Sequence, residues 1–297
     1  MKSWDSVNTI RFMKNPSSKA IAMAIAAALL YSLSSPISKV LLGKVEPTMM
    51  ASLLYLGCGL GLAGFKLIAH PAKAARLGKE DLGYTIAMVA LDIAAPICLL
   101  IGLNATSAAN ASLLNNFEIV ATSLIALLIF KEAISPRLWL AIALVSVASF
   151  LLGLEDAQSL KFSKGSLFVL LAAVLWGFEN NCTRMLSAKD PLQIVIIKGL
   201  GSGTGSFIIA MVLGQKIPDA ASVLWALLLG FAAYGLSIYL YVSAQRYLGA
   251  AKTSAYYAFA PFMGSALSFA IFAQRPTAIF LAALSIMALG AYLAAKA

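Results

Sequence analysis

The sequence predicts an all-α integral membrane protein whose ten transmembrane helices form two inverted five-helix repeats. Three observations lead there. The 297 residues are 61% hydrophobic and 11% charged, with a mean hydropathy of +0.89, well above the roughly 45–50% apolar content of soluble domains. The apolar residues fall into ten stretches, each near the ~20 residues that a helix needs to cross a hydrocarbon layer of about 30 Å. Finally, the chain repeats itself. The segment 109–130 recurs at 251–272, Ser18 and Lys19 correspond to Ser163 and Lys164, and Lys39 falls on Arg184.

The first copy, 1–154, holds spans at 18–42, 47–67, 82–103, 107–130 and 136–154. A polar join follows at 155–163. The second copy, 164–297, holds spans at 164–186, 191–213, 220–243, 250–272 and 276–295. Uninterrupted apolar runs without two-residue alternation exclude a membrane barrel, and helices alone satisfy their own backbone in lipid. Five spans per copy is an odd number, so the second copy must enter the membrane from the opposite face. Inverted repeats of this kind belong to secondary transporters, which expose a site near the midplane to either side in turn.

The first 35 residues, basic and then Ala-rich, also read as a signal peptide. Removing them would leave four spans in the first copy against five in the second, so the segment is expected to stay as a span. With a cytoplasmic N-terminus, thirteen basic residues in the connections and at span ends fall on the inner side and five, Lys44, Lys161, Lys164, Lys216 and Arg275, on the outer. This bias obeys the positive-inside rule, which places both termini in the cytoplasm and the protein in the inner membrane. The net charge of +10 therefore reflects topology, and no nucleic acid is expected as a partner.

Cys58, Cys98 and Cys182 lie inside spans without paired spacing, and His70 stands alone beside Pro71, so neither disulfides nor a metal site is expected. Without a phosphate-binding G-x-x-x-x-G-K-[ST] loop, nothing suggests that ATP drives a cycle, and no cofactor is expected. An intramembrane lipid enzyme would need a nucleophile with its base, or a ligand set, and H-E-x-x-H, G-x-S-x-G and paired His are all missing from the sequence.

Charges inside spans cost about 2.5–3.5 kcal/mol each on insertion scales, so those retained face a cavity or a partner. Six stand out: Lys39, Asp92, Glu118, Glu179, Arg184 and Lys198. Helical spacing puts Ala108, Ala111, Asn115, Glu118 and Thr122 on one stripe of the fourth span, small residues followed by polar ones, as on a helix that lines a cavity. Glu118 reads as a coupling or substrate-contacting acid, or else as an acid held by Lys198, Arg184 or Asn116.

Trp176, Glu179, Asn180 and Thr183 share adjacent faces of the sixth span. Glu179 and Arg184, five apart, cannot pair well along one helix, so each looks to another helix. Asp92, one turn before Pro96, suits either an ion pair with Lys39 or Lys198 or a part in transport. Lys198 either neutralises a carboxylate or binds the acidic end of a substrate, and the glycines at 199, 201, 203 and 205 allow close helix approach. Lys39 and Arg184 either join this set or snorkel to the surface. Tyr257, the repeat mate of Asn115, lies inside the ninth span. With Trp176 and unpaired carboxylates it would suit an ammonium group, and as part of an aromatic stripe it would be core.

The stretch AANASLLNNFEIVATSLIALLIFKEAISPRLWLAIALVSVASFLLG resembles the EamA-type branch of the drug/metabolite transporter superfamily. Lys131 and Glu132 match the ending of the helix in that pattern. AAKTSAYYAFAPFMGSALSFAIFAQRPTAIFLAAL repeats it, with Gln274 and Arg275 where the acid would be, and the sixth span carries the aromatic-glycine pair Trp176 and Gly177. The resemblance covers essentially the whole chain. It implies a ten-helix basket with a central cavity between the halves, moving metabolites, often outward and coupled to protons.

Together these readings describe a monomeric carrier of small polar metabolites, such as amino acids or other amino compounds. Proton-coupled alternating access is the first expectation, and an uncoupled, channel-like exporter on the same scaffold is the second. Reporters fused to the two ends of the chain test the topology. A fluorescent protein that matures only in the cytoplasm should light up at both, and a periplasm-dependent reporter active at either end would overturn the orientation.

Overall fold

The computed structural model describes residues 18–69, 75–129, 134–155, 163–186, 189–248, 256–257 and 259–296. Residues 1–17, His70, Lys131 with Glu132, most of the join and the opening of the ninth span fall outside the described residues. Ten helical segments follow one another: α1 (Ser18–Leu41), α2 (Pro47–Ala69), α3 (Leu82–Ala105), α4 (Ala108–Leu128) and α5 (Pro136–Glu155). Then come α6 (Lys164–Met185), α7 (Pro191–Val212), α8 (Ala220–Tyr241, helical on to Leu248), α9 (Ala260–Phe272) and α10 (Ala278–Ala295). All but α9 are individually long and apolar enough to cross a bilayer.

Local chemistry sets the helix ends. Ser107, Ser163, Asp190, Asp219 and Thr277 each accept a backbone N–H from the first turn they precede, satisfying donors that a helix start leaves orphaned. The exposed Asp219 carboxyl is held below the ordinary carboxylate range by the hydroxyl and N–H of Ser222. α7 stops at Gly214, whose φ of 71° is left-handed. There the N–H of Gly214 and that of Gln215 return to the carbonyls of Met211 and Ala210, a glycine-dependent closing turn.

The helices are not all continuous. α1 is interrupted at Leu33, where Pro36 has no N–H for the carbonyl of Ser32. α4 is interrupted at Asn115 and Asn116, where Asn116, Glu118 and Ile119 bond three residues back, to Leu113, Asn115 and Asn116. Asparagine competes with the helix for backbone groups, which explains the tightened turn. α8 widens into a π-helix over Gly230–Leu236.

Packing follows the repeat. α2 lies along α7, α4 along α9 and α5 along α10, so each helix meets its own mate, and the α3–α6 contact has its counterpart in α1–α8. These are the pairings that a two-fold relation between the halves generates. The short connections make neighbours antiparallel, which gathers the start of α1 and α3 and the ends of α2, α4 and α6 on one side. On that side Lys189 meets Asp81 at 2.9 Å and Glu80 at 3.1 Å, and Lys66 meets Asp190 at 3.7 Å. On the other side Gln215 accepts the N–H of Met49.

α2 and α7 cross at backbone contact. A Cβ on Gly199 would stand 2.5 Å from the nitrogen of Gly59, and one on Gly59 would stand 2.6 Å from the nitrogen of Leu200. Small residues let helices meet this closely in lipid, where dispersion replaces the hydrophobic effect as the attraction. Gly199→Ala should therefore lower the melting midpoint of the detergent-purified protein, by the equivalent of about 1–3 kcal/mol of overpacking. An unchanged midpoint would contradict the crossing.

Candidate functional site

The crossing of α2 and α7 holds Lys198 in the interior, beside Gly199. Its ammonium lies 3.0 Å from Asp92 Oδ2 on α3 and 3.0 Å from Glu179 Oε1 on α6. Asp92 is 0% exposed, Glu179 2% and Lys198 9%. Asp92 Oδ1 also accepts the Tyr55 hydroxyl and the Trp176 indole N–H, each at 3.1 Å, and Glu179 accepts the Thr183 hydroxyl. Four helices, two from each half, thus converge on one ammonium and two carboxylates.

Such a cluster carries a built-in imbalance. Two ionised carboxylates against one ammonium leave a net negative charge in a region where isolated charge is heavily penalised. Glu118 adds a third acid. The structure joins it neither to Arg184 nor to Asn116, and Lys198 reaches it only at longer range. Instead the Asn180 amide donates to Glu118 Oε1 at 2.5 Å and to the Thr122 hydroxyl at 3.3 Å. Among the described residues no lysine or arginine stands within ion-pair distance of Glu118.

Beyond Asn180 the space opens. A cavity of about 220 Å³ is lined by Thr122, Ser123 and Ala126 of α4, Ile134 and Leu138 at the start of α5, and Asn180, Asn181 and Arg184 of α6. These helix ends lie on the side from which α1 starts. Asn181 ties the wall together by donating to the carbonyls of Thr122 and Gly177. Arg184 is exposed at the rim, with Asn180 between it and Glu118.

Lys39 sits elsewhere. Its ammonium donates to the carbonyls of Leu103 at 2.5 Å, Asn104 at 3.0 Å and Thr106 at 2.8 Å, so it caps the negative end of α3. Lys39 is thus bound to protein at the helix end, away from Asp92 and Lys198, which pair with each other.

Tyr257 and Trp176 have different partners. Tyr257 belongs to a tyrosine cluster, with ring centroids 5.5 Å from Tyr31 and 4.9 Å from Tyr241, and Tyr31 continues it to Tyr234 at 6.1 Å. Tyr234 lies 5.6 Å from Tyr55, which hands the cluster on to Asp92. Serines fix it: Ser34 bonds the Tyr234 hydroxyl and Ser237 the Tyr257 hydroxyl. Asn115 stands at the break in α4, beside Tyr31. Tyr31 and Tyr55 were not singled out by sequence. The available signal was a tyrosine in mid-span, far from the interfaces where tyrosines anchor.

The family model for EamA-like transporters matches this sequence twice, over residues 18–154 and 163–296. The chain belongs to the EamA-like transporter family. Each matched unit spans five of the helical segments, α1 to α5 and α6 to α10. An uncharacterized transporter of Methanothermobacter thermautotrophicus is 27% identical over 267 residues, which is 83% of this chain and 77% of that one. A protein crystal structure shares the fold with a TM-score of 0.70 over 93% of this chain and 96% of its own, at 17% identity. As an EamA-like chain, the molecule is an integral membrane transporter.

In this EamA-like protein, removing Lys198 alone should be worse than removing the whole ion cluster. Lys198→Met leaves two buried carboxylates facing each other, with an expected loss of about 3–5 kcal/mol. That loss should shrink as the pH falls from about 8 to about 5, because protonation relieves an orphaned acid. Adding Asp92→Asn and Glu179→Gln should restore much of it. Melting curves of the single and triple variants decide, and equal stability of the two would refute the coupling.

Proposed function

We propose that this protein is a proton-linked carrier of small amino compounds, amino acids among them. It works by alternating access between two inverted five-helix halves, residues 1–154 and 164–297. The observation that supports the reading best is the surplus of acid: Asp92 and Glu179 share the ammonium of Lys198, while Glu118, held by the Asn180 amide, stands one amide away from the cavity.

Three acids on one base invite a second cation. A proton on Glu118, or the ammonium of a substrate in the cavity, balances the cluster equally well, and two ligands that satisfy the same charge exclude one another. Mutual exclusion of proton and substrate at a shared carboxylate is the basis of exchange coupling. Asn180 reports the state of Glu118, because its amide donates to the acid and forms part of the cavity wall.

The cavity opens on the side where the chain's ends emerge, which the charge bias makes cytoplasmic. That side would load substrate in the conformation described, consistent with outward movement. On the far side, Lys39 on the α3 carbonyls and Ser265 on the carbonyl of Ala109 draw α1, α3, α4 and α9 together. Closure there and opening here are the two ends of the rocking motion that inverted halves permit. No cofactor enters this cycle, and a monomer contains every group that it uses.

Proteoliposomes test the reading. Uptake of labelled amino acids and amines should be saturable and should respond to an imposed pH gradient. Glu118→Gln should abolish the response to the gradient and reduce transport by about tenfold or more, the loss of one charge-assisted contact. Transport by the wild type that ignores the pH gradient would replace the proton-linked carrier with an uncoupled facilitator.

A further inference from the structure

Two helices are interrupted at one level, and a crevice lies where they meet a third. α1 is interrupted beside Ser32, α4 is interrupted at Asn115, and α9 starts with Pro261 in its first turn. The crevice is lined by Tyr31, Ser32, Ser35, Ser112, Asn115 and the Ala260–Pro261–Gly264 face of α9. It measures about 10 Å³, which is room for about one water-sized particle.

Its walls present oxygen. Asn115 Oδ1 and Ser112 Oγ are buried and have no hydrogen-bond partner, on residues only 7% and 3% exposed. Pro36 offers no N–H to the carbonyl of Ser32, and the Ser32 hydroxyl turns away to donate to Leu29. Gly264 closes the crevice from α9: a Cβ there would stand 3.0 Å from Ser112 Oγ and 3.1 Å from Ser32 O. The glycine is what brings a third helix over these two oxygens. Ser35 supplies a further hydroxyl.

The electrostatic setting favours positive charge. Among the described residues no lysine, arginine or histidine lines the crevice, and Glu118 stands one turn beyond Asn115 on α4. Carbonyl, amide and hydroxyl oxygens are hard ligands. With no carboxylate among them, however, they lack the charge that holds calcium or magnesium. Potassium, about the size of a water molecule, would just fill this space, whereas the smaller sodium lets the oxygens close to its shorter coordination distance. We propose that this crevice is a sodium site, with Asn115 Oδ1, Ser112 Oγ and the Ser32 carbonyl as its core ligands. A sodium ion there ties α1 to α4 at their breaks and offsets part of the surplus acid beside them. The site is separate from the cavity of the carrier reading and is tested without transport.

The measurement is the melting midpoint of the full chain in detergent as sodium chloride replaces choline chloride at constant total salt. Sodium should raise the midpoint saturably, as a ligand of the folded state does, and potassium chloride should not. Ser112→Ala and Asn115→Ala should each raise the half-saturating sodium concentration by about tenfold, the loss of one ligand. Equal midpoints in sodium, potassium and choline would overturn the proposal. So would a wild-type sodium response in both variants, which would place the ion elsewhere. Should a variant fail to fold, the comparison of sodium with potassium in the wild type decides alone.

Discussion

A single ammonium between two carboxylates organises this molecule. Lys198, Asp92 and Glu179 come from three helices in both halves of the chain, and Tyr55 and Trp176 add hydrogen bonds from α2 and α6. None of these charges is tolerable alone in hydrocarbon. Each requires the others, so the four helices must meet at one point and in one rotational setting. The constraint fixes the register of α3 against α6 and of α2 against α7, and it leaves the centre of the protein short of positive charge.

Around that fixed point the helices divide by regularity. α2 and α7 are continuous and cross at backbone distance through Gly59 and Gly199, which suits a core that does not move. α1, α4 and α8 carry an interruption or a π segment, and their irregular turns face one another across the tyrosine cluster. Breaks in a membrane helix expose backbone that must be satisfied inside the protein, so they collect where polar side chains such as Ser34, Ser112, Asn115 and Ser237 are available. Rigid crossing, broken helices and a cavity at one end are the parts that a carrier with two access states needs.

Much of this was legible in the sequence, and for identifiable reasons. The spans are readable because lipid imposes a length and an apolarity that no other constraint mimics. The six intramembrane charges are readable because they violate that rule, and five of them lie at or beside the cluster and the cavity. The sixth, Lys39, shares the chemical signal but ends on carbonyls of α3, because a helix C-terminus is as good a partner for an ammonium as a carboxylate is. The interruptions at Leu33 and Asn115 fall beside Pro36 with its serines and beside Asn116, a local signal that hydropathy averaged over a whole span does not register. Tyr31 and Tyr55 pass unnoticed for a similar reason, since a mid-span tyrosine looks like packing until its neighbours are known.

The sequence by itself determined the environment, the number of crossings, the repeat and the set of residues with unusual chemistry, because each of these is a local property of residue type and spacing. Only the tertiary structure decided which acid met which base. It placed Glu118 on the Asn180 amide, Asp92 and Glu179 on Lys198, and Lys39 on the α3 carbonyls. Partnership across helices depends on how each helix is rotated and where it crosses its neighbours. Those angles follow from contacts such as Gly59 on Gly199, between residues far apart in the chain, and no single segment encodes them.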